Sequence, residues 1–153
     1  PTVFDKVSPK SAIGREEIFG PVLSLMNVPD LASAIALLHD HPQAVFIDCR
    51  SEMEYLFVGH PVGSHHVAWN DGPDWEINPH FVGQVRKVAS MNRPVLLICR
   101  SGQRSISAGQ ALEQAGFSDV YNVLDGFEGP LDDTHHRNTV SGWRREGLPW
   151  EQS

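Results

Sequence analysis

The segment PVLLICRSGQRS, residues 94–105, carries the strongest structural signal in the sequence. Its first half is almost entirely apolar and rich in β-formers, which is typical of a strand buried on both faces of a sheet. Small and polar residues follow it, and a helix is indicated over residues 105–115, with Gly116 at its end. The segment therefore predicts a buried strand, a tight loop and a helix in succession.

Two further apolar runs, AVFID at residues 44–48 and VYNVL at residues 120–124, have the same strand character. Apolar residues at helical spacing predict one helix from the N-cap Asp30 to just before Pro42, and another over residues 79–89. Buried strands that alternate with helices predict an α/β fold, with a mostly parallel sheet covered on both faces. In such sheets, ligands bind beyond the carboxyl ends of the strands.

Length and charge limit the classes of function. The chain has 153 residues, a size that suits one domain. We expect residues 27–153 to form that domain and residues 1–26 to be an extension, with one helical turn near residues 15–19. The formal net charge is −7, from 12 Lys and Arg against 19 Asp and Glu. This balance argues against nucleic acid or an anionic membrane as a partner.

The first 20 residues lack the apolar core of a signal peptide, and no apolar run is long enough to span a bilayer. Two cysteines, Cys49 and Cys99, are too few for a disulfide framework or a four-cysteine zinc site. A reactive thiol is kept reduced most easily in the cytoplasm, which is the location we expect. A removed targeting segment is the alternative, because the chain does not begin with Met.

Cys99 stands where the predicted strand ends and the loop begins. Loop N–H groups, the N-terminus of the following helix and two cations, Arg100 and Arg104, would all favour its thiolate form. We therefore expect a lowered pKa and a nucleophilic sulfur. Gly102 permits the tight curvature that this loop requires. The alternative interpretation is a structural cysteine buried at a strand end.

The loop CRSGQRS, residues 99–105, looks like the active-site loop of the rhodanese family of sulfurtransferases. Four more segments resemble motifs of that family, in the same order along the chain: IDCRSEMEY (47–55), GHPVGSHHV (59–67), YNVLDGFEG (121–129) and GWRREGLPW (142–150). A polar insertion at residues 132–141 departs from the pattern. The resemblance covers nearly the whole chain and implies a rhodanese-like fold with a five-stranded, mostly parallel sheet.

The resemblance also implies an activity. The Cys99 thiolate would take a sulfane sulfur from thiosulfate, a polysulfide or a low-molecular-weight persulfide, and would then hold it as a persulfide. A thiol or cyanide would accept the sulfur, with a sulfur-carrier protein as a further candidate acceptor; no cofactor is expected. The side chains and N–H groups expected to bind the substrate belong to Arg100, Ser101, Gly102, Gln103, Arg104 and Ser105.

Asp48 and Arg50 form a second cluster, at the end of another predicted strand. In the rhodanese family, such a D-x-R pair lies near the mouth of the active-site loop, which implies a supporting role in which Asp48 orients or balances an arginine. A purely structural ion pair is the interpretation we favour. Cys49, between them, points the opposite way along a strand, so we expect it in the core. A redox pair of Cys49 with Cys99 is the alternative.

Two other functions compete with sulfur transfer. Cysteine phosphatases use C-x5-R, in which the Arg grips two phosphate oxygens. Here Ser105 occupies that position and Arg104 comes one residue early, so the shorter loop disfavours a phosphatase or an arsenate reductase. A non-catalytic binding module of the same fold is the other alternative, and the presence of Cys99 argues against it.

Several histidines invite a metal interpretation, because His60, His65 and His66 fall within seven residues. Adjacent side chains on an extended segment face opposite sides, so we predict no metal site and expect the ring of His60 to bond backbone. His135 and His136 lie in the polar insertion. They could flank the active site as a lid, but we favour a solvated loop. Trp69 and Trp75 flank a turn-rich stretch that is a candidate wall of the active-site pocket.

Overall fold

We describe a computed structural model of the chain. It describes residues 31–153 in full, together with the backbone of three short strands at residues 2–4, 22–24 and 26–28. The helical turn predicted near residues 15–19 and the N-cap predicted at Asp30 lie outside the described residues.

A five-stranded sheet forms the centre of the molecule, and every pair of neighbouring strands in it is parallel. Its strands, in chain order, are β3 (Met26–Val28), β4 (Val45–Asp48), β6 (His65–His66), β7 (Val95–Ile98) and β8 (Val120–Val123). Across the sheet they run in the order β3–β8–β7–β4–β6. The predicted α/β fold with a mostly parallel sheet is therefore confirmed.

Two small sheets accompany the central one. The strands β1 (Thr2–Phe4) and β2 (Val22–Ser24) pair in parallel, whereas β5 (His60–Pro61) and β9 (Trp150–Glu151) pair in antiparallel. The β5–β9 pair ties the C-terminal segment to the chain that follows β4. A π-helical turn, Glu54–Val58, bridges β4 and β5.

Within residues 31–153, three helices cover the sheet: α1 (Leu31–Asp40), α2 (Phe81–Val88) and α3 (Gln103–Gln114). Successive strand residues point to opposite faces, so two cores form. Ile47 and Leu97 pack with residues of α2 and α3 on one face, whereas Phe46 and Leu96 pack with α1 on the other. All four residues of β4 and of β7 are buried, which is why β7 is an unbroken apolar run and β4 is apolar up to its last residue, Asp48.

One element bound differs from the prediction, and one strand was missed. Helix α3 begins at Gln103, not at residue 105, because Gly102 turns the chain directly into the helix. The edge strand β3 was not predicted; its three residues pair with β8. A strand this short carries too little periodicity to detect from sequence.

Within the part of the chain that the structure describes, no helix has the length and apolar character needed to cross a membrane.

Candidate active site

The ends of β4 and β7 lie side by side at the carboxyl edge of the sheet. The pairing of Asp48 with Ile98 closes the register between the two strands, and Cys49 N–H continues it by donating to Ile98 O at 2.9 Å. The Asp48–Arg50 segment and the loop that follows Cys99 are therefore neighbours in space. These are the two places to which the sequence assigned candidate site residues.

Gly102 shapes the loop after Cys99. Its φ is +86°, in the left-handed region that favours glycine, and a Cβ there would lie 1.7 Å from Leu124 O. The sequence predicted this curvature. Helix α3 starts at the next residue, Gln103, which is exposed, so the loop passes straight into the N-terminus of a twelve-residue helix.

A second loop, after β8, supports the first one from the side. Phe127 N–H donates to Cys99 O at 2.8 Å, and Glu128 N–H donates to Arg100 O at 2.9 Å. Gly126, with φ of +64°, allows this approach, since a Cβ there would lie 2.5 Å from Cys99 O. The loop that carries Cys99 is thus held by backbone hydrogen bonds on the side away from its own N–H groups.

The sulfur of Cys99 is buried but surrounded by hydrogen-bond donors. Cys99 is 1% exposed, and burial alone would raise its pKa. Hydrogen bonds from the Cys49 thiol, from the hydroxyl and N–H of Ser105 and from the N–H of Ser101 outweigh burial and lower the pKa to about 5. The Ser105 hydroxyl lies 3.1 Å from the sulfur. At neutral pH, Cys99 is therefore a thiolate.

The two loop arginines are both paired with carboxylates. Arg104 makes a bidentate contact with Glu54, at 2.7 Å for each bond, and Arg100 Nε lies 2.9 Å from Glu128. The sequence predicts that both arginines bind the substrate. The tertiary structure balances their charges with two acidic side chains that the sequence interpretation did not assign to the site.

Glu54 reaches the site from the turn after β4. Its carboxylate accepts from Ser51 N–H at 3.0 Å, while Glu54 N–H faces the Ser51 hydroxyl at 3.3 Å. This is a capping box, and its S-x-x-E spacing was a signal available in the sequence. Burial opposes ionisation, but the bonds and charge of Arg104 prevail and lower the pKa of Glu54 to about 2.

Asp48 and Arg50 form a buried ion pair at the end of β4. Both side chains are 0% exposed, their closest atoms are 2.6 Å apart, and Arg50 also donates to Gly59 O at 2.6 Å. The guanidinium of Arg50 stands 4.2 Å from the centre of the Phe127 ring. The pair therefore links β4 to the segment before β5 and to the supporting loop, as the structural interpretation of D-x-R predicts.

Cys49 is fully buried in the same core cluster as Cys99. Its thiol donates to Ile98 O, at a distance of 3.2 Å from the sulfur. Burial, and then the interaction with Cys99, raise the pKa of Cys49 well above its usual value. Cys49 is therefore a neutral thiol that acts as a hydrogen-bond donor.

The aromatic and histidine candidates of the sequence lie in different parts of the molecule. Trp75 is half exposed, and the guanidinium of Arg104 lies 5.9 Å from its ring, so this tryptophan stands beside the loop. His60 stacks on Tyr55 and its Nδ1 lies 3.1 Å from Tyr55 O, as expected of a structural histidine. His135 and His136 are exposed in the polar insertion. Residues 31–153 contain no cluster of three metal-ligating side chains.

Comparisons with known proteins agree with this geometry. The rhodanese-like domain family model matches residues 30–131. A thiosulfate sulfurtransferase, GlpE of Pseudomonas putida, is 34% identical over 85 residues, which are 56% of this chain and 67% of that protein. An uncharacterized protein of Rickettsia conorii is 28% identical over 132 residues, covering 82% of this chain and 99% of that one.

Among solved structures, the crystal structure of Rv0390 from M. tuberculosis superposes with a TM-score of 0.77 at 40% identity, covering 85% of this chain and 100% of that one. A second family model, for the aldehyde dehydrogenase family, matches residues 1–49, most of which precede the central domain. The rhodanese match spans the strands, the loop and the helix that form the candidate site. The chain belongs to the rhodanese-like domain family, with thiosulfate sulfurtransferases among its relatives.

Proposed function

We propose that this protein transfers sulfane sulfur through a persulfide on Cys99. The observation that carries the proposal is the sulfur itself: a buried cysteine with a pKa of about 5, at the end of a parallel strand, facing loop and helix N–H groups. Donors arranged in this way stabilise a negative sulfur before and after it gains a second sulfur atom. Kinship with thiosulfate sulfurtransferases supports the same chemistry.

The reaction has two balanced steps. The Cys99 thiolate attacks the outer sulfur of thiosulfate, that sulfur's bond to the sulfonate sulfur breaks, and sulfite leaves with the electron pair. The product is an ionised persulfide on Cys99. Cyanide or a thiolate then attacks the outer sulfur, and Cys99 leaves as the thiolate with which the cycle began. The N–H groups of Ser101 and Ser105 hold the charge on the sulfur in both resting states.

The paired arginines bear on the choice of donor. Because Glu54 and Glu128 already neutralise Arg104 and Arg100, the site attracts a dianion less strongly than two free guanidinium groups would. We therefore expect a singly charged persulfide or polysulfide to be a better donor than thiosulfate. A small thiol or a protein thiol, such as that of a sulfur-carrier protein, is the proposed acceptor in a reducing compartment.

The same carboxylates disfavour phosphate chemistry. A phosphatase needs an arginine whose fork is open to two phosphate oxygens, whereas the fork of Arg104 is filled by Glu54. Glu54 remains ionised down to a pH of about 2, so it would also repel a phosphate ester.

Formation of thiocyanate from cyanide tests the proposal, with thiosulfate and glutathione persulfide compared as donors. We expect a higher kcat/KM with the persulfide, and a fall of more than about 10³-fold when the nucleophile is removed in Cys99→Ser. Circular dichroism of the variant shows whether it is folded. A wild-type protein that gives no thiocyanate with either donor, or that hydrolyses a chromogenic phosphate ester instead, contradicts the proposal.

A further inference from the structure

The two cysteines of this chain are neighbours across a pair of parallel strands. The register of β4 against β7 runs from Val45–Val95 to Asp48–Ile98, so the next residues in line are Cys49 and Cys99. The N–H of Cys49 continues the ladder, with a 2.9 Å bond to Ile98 O. Both side chains enter the same core cluster, which places them on the same face of the sheet.

This placement has the dimensions of a disulfide. Paired strands lie about 4.8 Å apart, and disulfides join residues whose Cα atoms are about 4.4–6.8 Å apart. The Cys49 thiol donates to Ile98 O at 3.2 Å, and that carbonyl directly precedes Cys99 in the chain, so the Cys49 sulfur lies at the Cys99 end of β7. When Cys99 is ionised, the proton of Cys49 turns to it, because an anion is the stronger acceptor.

The two sulfurs are both buried but have different surroundings. Cys49 is 0% exposed and comes before the turn that carries Glu54, whereas Cys99 is 1% exposed and begins the loop whose N–H groups, at Ser101 and Ser105, bond its sulfur. A donor that enters the loop meets the Cys99 sulfur, and the new outer sulfur lies toward those N–H groups. Cys49 approaches Cys99 from the neighbouring strand, so it can reach the inner sulfur of the persulfide.

We propose that Cys49 is a resolving thiol: when no acceptor arrives, it attacks the inner sulfur of the Cys99 persulfide, forms a Cys49–Cys99 disulfide and releases hydrogen sulfide. The inference rests on the proposed persulfide and adds a second fate for it. It also assigns a covalent role to a buried thiol that otherwise acts only as a hydrogen-bond donor.

The step balances without an external oxidant. Cys49 Sγ forms a bond to Cys99 Sγ, the bond from Cys99 Sγ to the outer sulfur breaks, and the outer sulfur leaves with that electron pair. The proton of Cys49 passes to the leaving sulfur, which departs as HS⁻ from an ionised persulfide. The sulfane sulfur is reduced to sulfide, and the two cysteines are oxidised to the disulfide. Two equivalents of a small thiol return the disulfide to the starting pair.

The experiment uses the full-length protein under anaerobic conditions, so that oxygen cannot form the disulfide. Reduced protein is mixed with glutathione persulfide, desalted at once and followed by intact mass, with released sulfide measured in parallel. The matched variants are Cys49→Ser, whose hydroxyl keeps a hydrogen-bond donor but cannot form a disulfide, and Cys49→Ala, which has neither property. Peptide mapping of the wild-type protein locates the disulfide without relying on either variant.

We expect the wild-type protein to gain one sulfur atom, then to lose it and two hydrogen atoms, with one equivalent of sulfide released. Both variants should keep the added sulfur and release none. If the wild-type protein keeps its persulfide as long as Cys49→Ser does, the resolving role is overturned and the proposed function stands. If no form of the protein ever gains sulfur, the proposed function fails and the inference fails with it.

Discussion

The ends of β4 and β7 carry the same residue in two opposite electrostatic states. Cys49 and Cys99 are both buried, and burial raises the pKa of each. After β7, a loop and a helix N-terminus supply N–H groups, and the pKa of Cys99 falls to about 5. After β4, the polar side chains of Asp48 and Arg50 pair with each other, and the pKa of Cys49 stays raised, so its thiol is neutral. The difference teaches that donors facing the sulfur, not its depth, decide its reactivity.

The largest effect should come from breaking the polar pair at the end of β4. In Arg50→Met, Asp48 is left as a buried and uncompensated charge, which should lower the free energy of unfolding by about 3–5 kcal/mol. Urea unfolding measures this loss. Arg86→Met is the control, because Arg86 is exposed and its bond to Ala115 O should contribute about 1 kcal/mol. Equal losses in the two variants would mean that the Asp48–Arg50 pair is not a structural element of this end.

Disturbing the loop after β7 should damage reactivity more than stability. In Gly102→Ala, the Cβ meets Leu124 O, the loop must shift, and the rate of thiocyanate formation should fall by about 10²-fold. Gly63→Ala is matched to it, since Gly63 also has a positive φ, of +78°, but nothing lies within 4 Å of its Cβ. An active Gly102→Ala variant would show that loop curvature does not position the donors.

Removing one hydrogen-bond donor should raise the pKa of Cys99 part of the way toward the raised pKa of Cys49. A hydrogen bond to a charged group is worth about 1.5–3 kcal/mol, so Ser105→Ala should raise the pKa of Cys99 by about 1–2 units. The thiolate is present above its pKa and lost as the pH falls through it, so alkylation by iodoacetamide should decline near pH 5 in the wild type and at a higher pH in the variant. Ser107→Ala, on the exposed side of α3, should leave the profile unchanged. Coincident pH profiles for Ser105→Ala and the wild type would show that Ser105 does not lower the pKa of Cys99.

The smallest effect should come from the ion pair between Glu54, in the turn after β4, and Arg104, in the helix after β7. Glu54→Gln keeps the capping box but frees the fork of Arg104, so the KM for thiosulfate should fall about fivefold, which corresponds to about 1 kcal/mol. Glu52→Gln removes an exposed charge two residues away and should change the KM little. A KM that rises in Glu54→Gln would show that Glu54 helps to bind the donor.

The interpretation from sequence succeeded where the signal is local. The run PVLLIC predicted β7 within a residue at either end, and the Gly in CRSGQRS predicted the left-handed turn at Gly102. A lowered pKa of Cys99 was expected from its place between a strand and a helix, although the largest lowering contribution comes from Cys49 on another strand. The interpretation from sequence missed β3, which is only three residues long. It also missed the carboxylate partners of the arginines, which lie far away in the chain.

The sequence by itself determined the strand–loop–helix unit and the sulfur at its centre, because a buried strand, a glycine turn and a helix start depend on residues close together in the chain. Only the tertiary structure decided what faces that sulfur and its loop. Glu54 and Arg104 are 50 residues apart, and Cys49 reaches Cys99 only because β4 pairs with β7 in one register. The local sequence of each strand does not specify its neighbour, because all the buried strands are short apolar runs. The order and register of the strands in the sheet decide which residues come into contact.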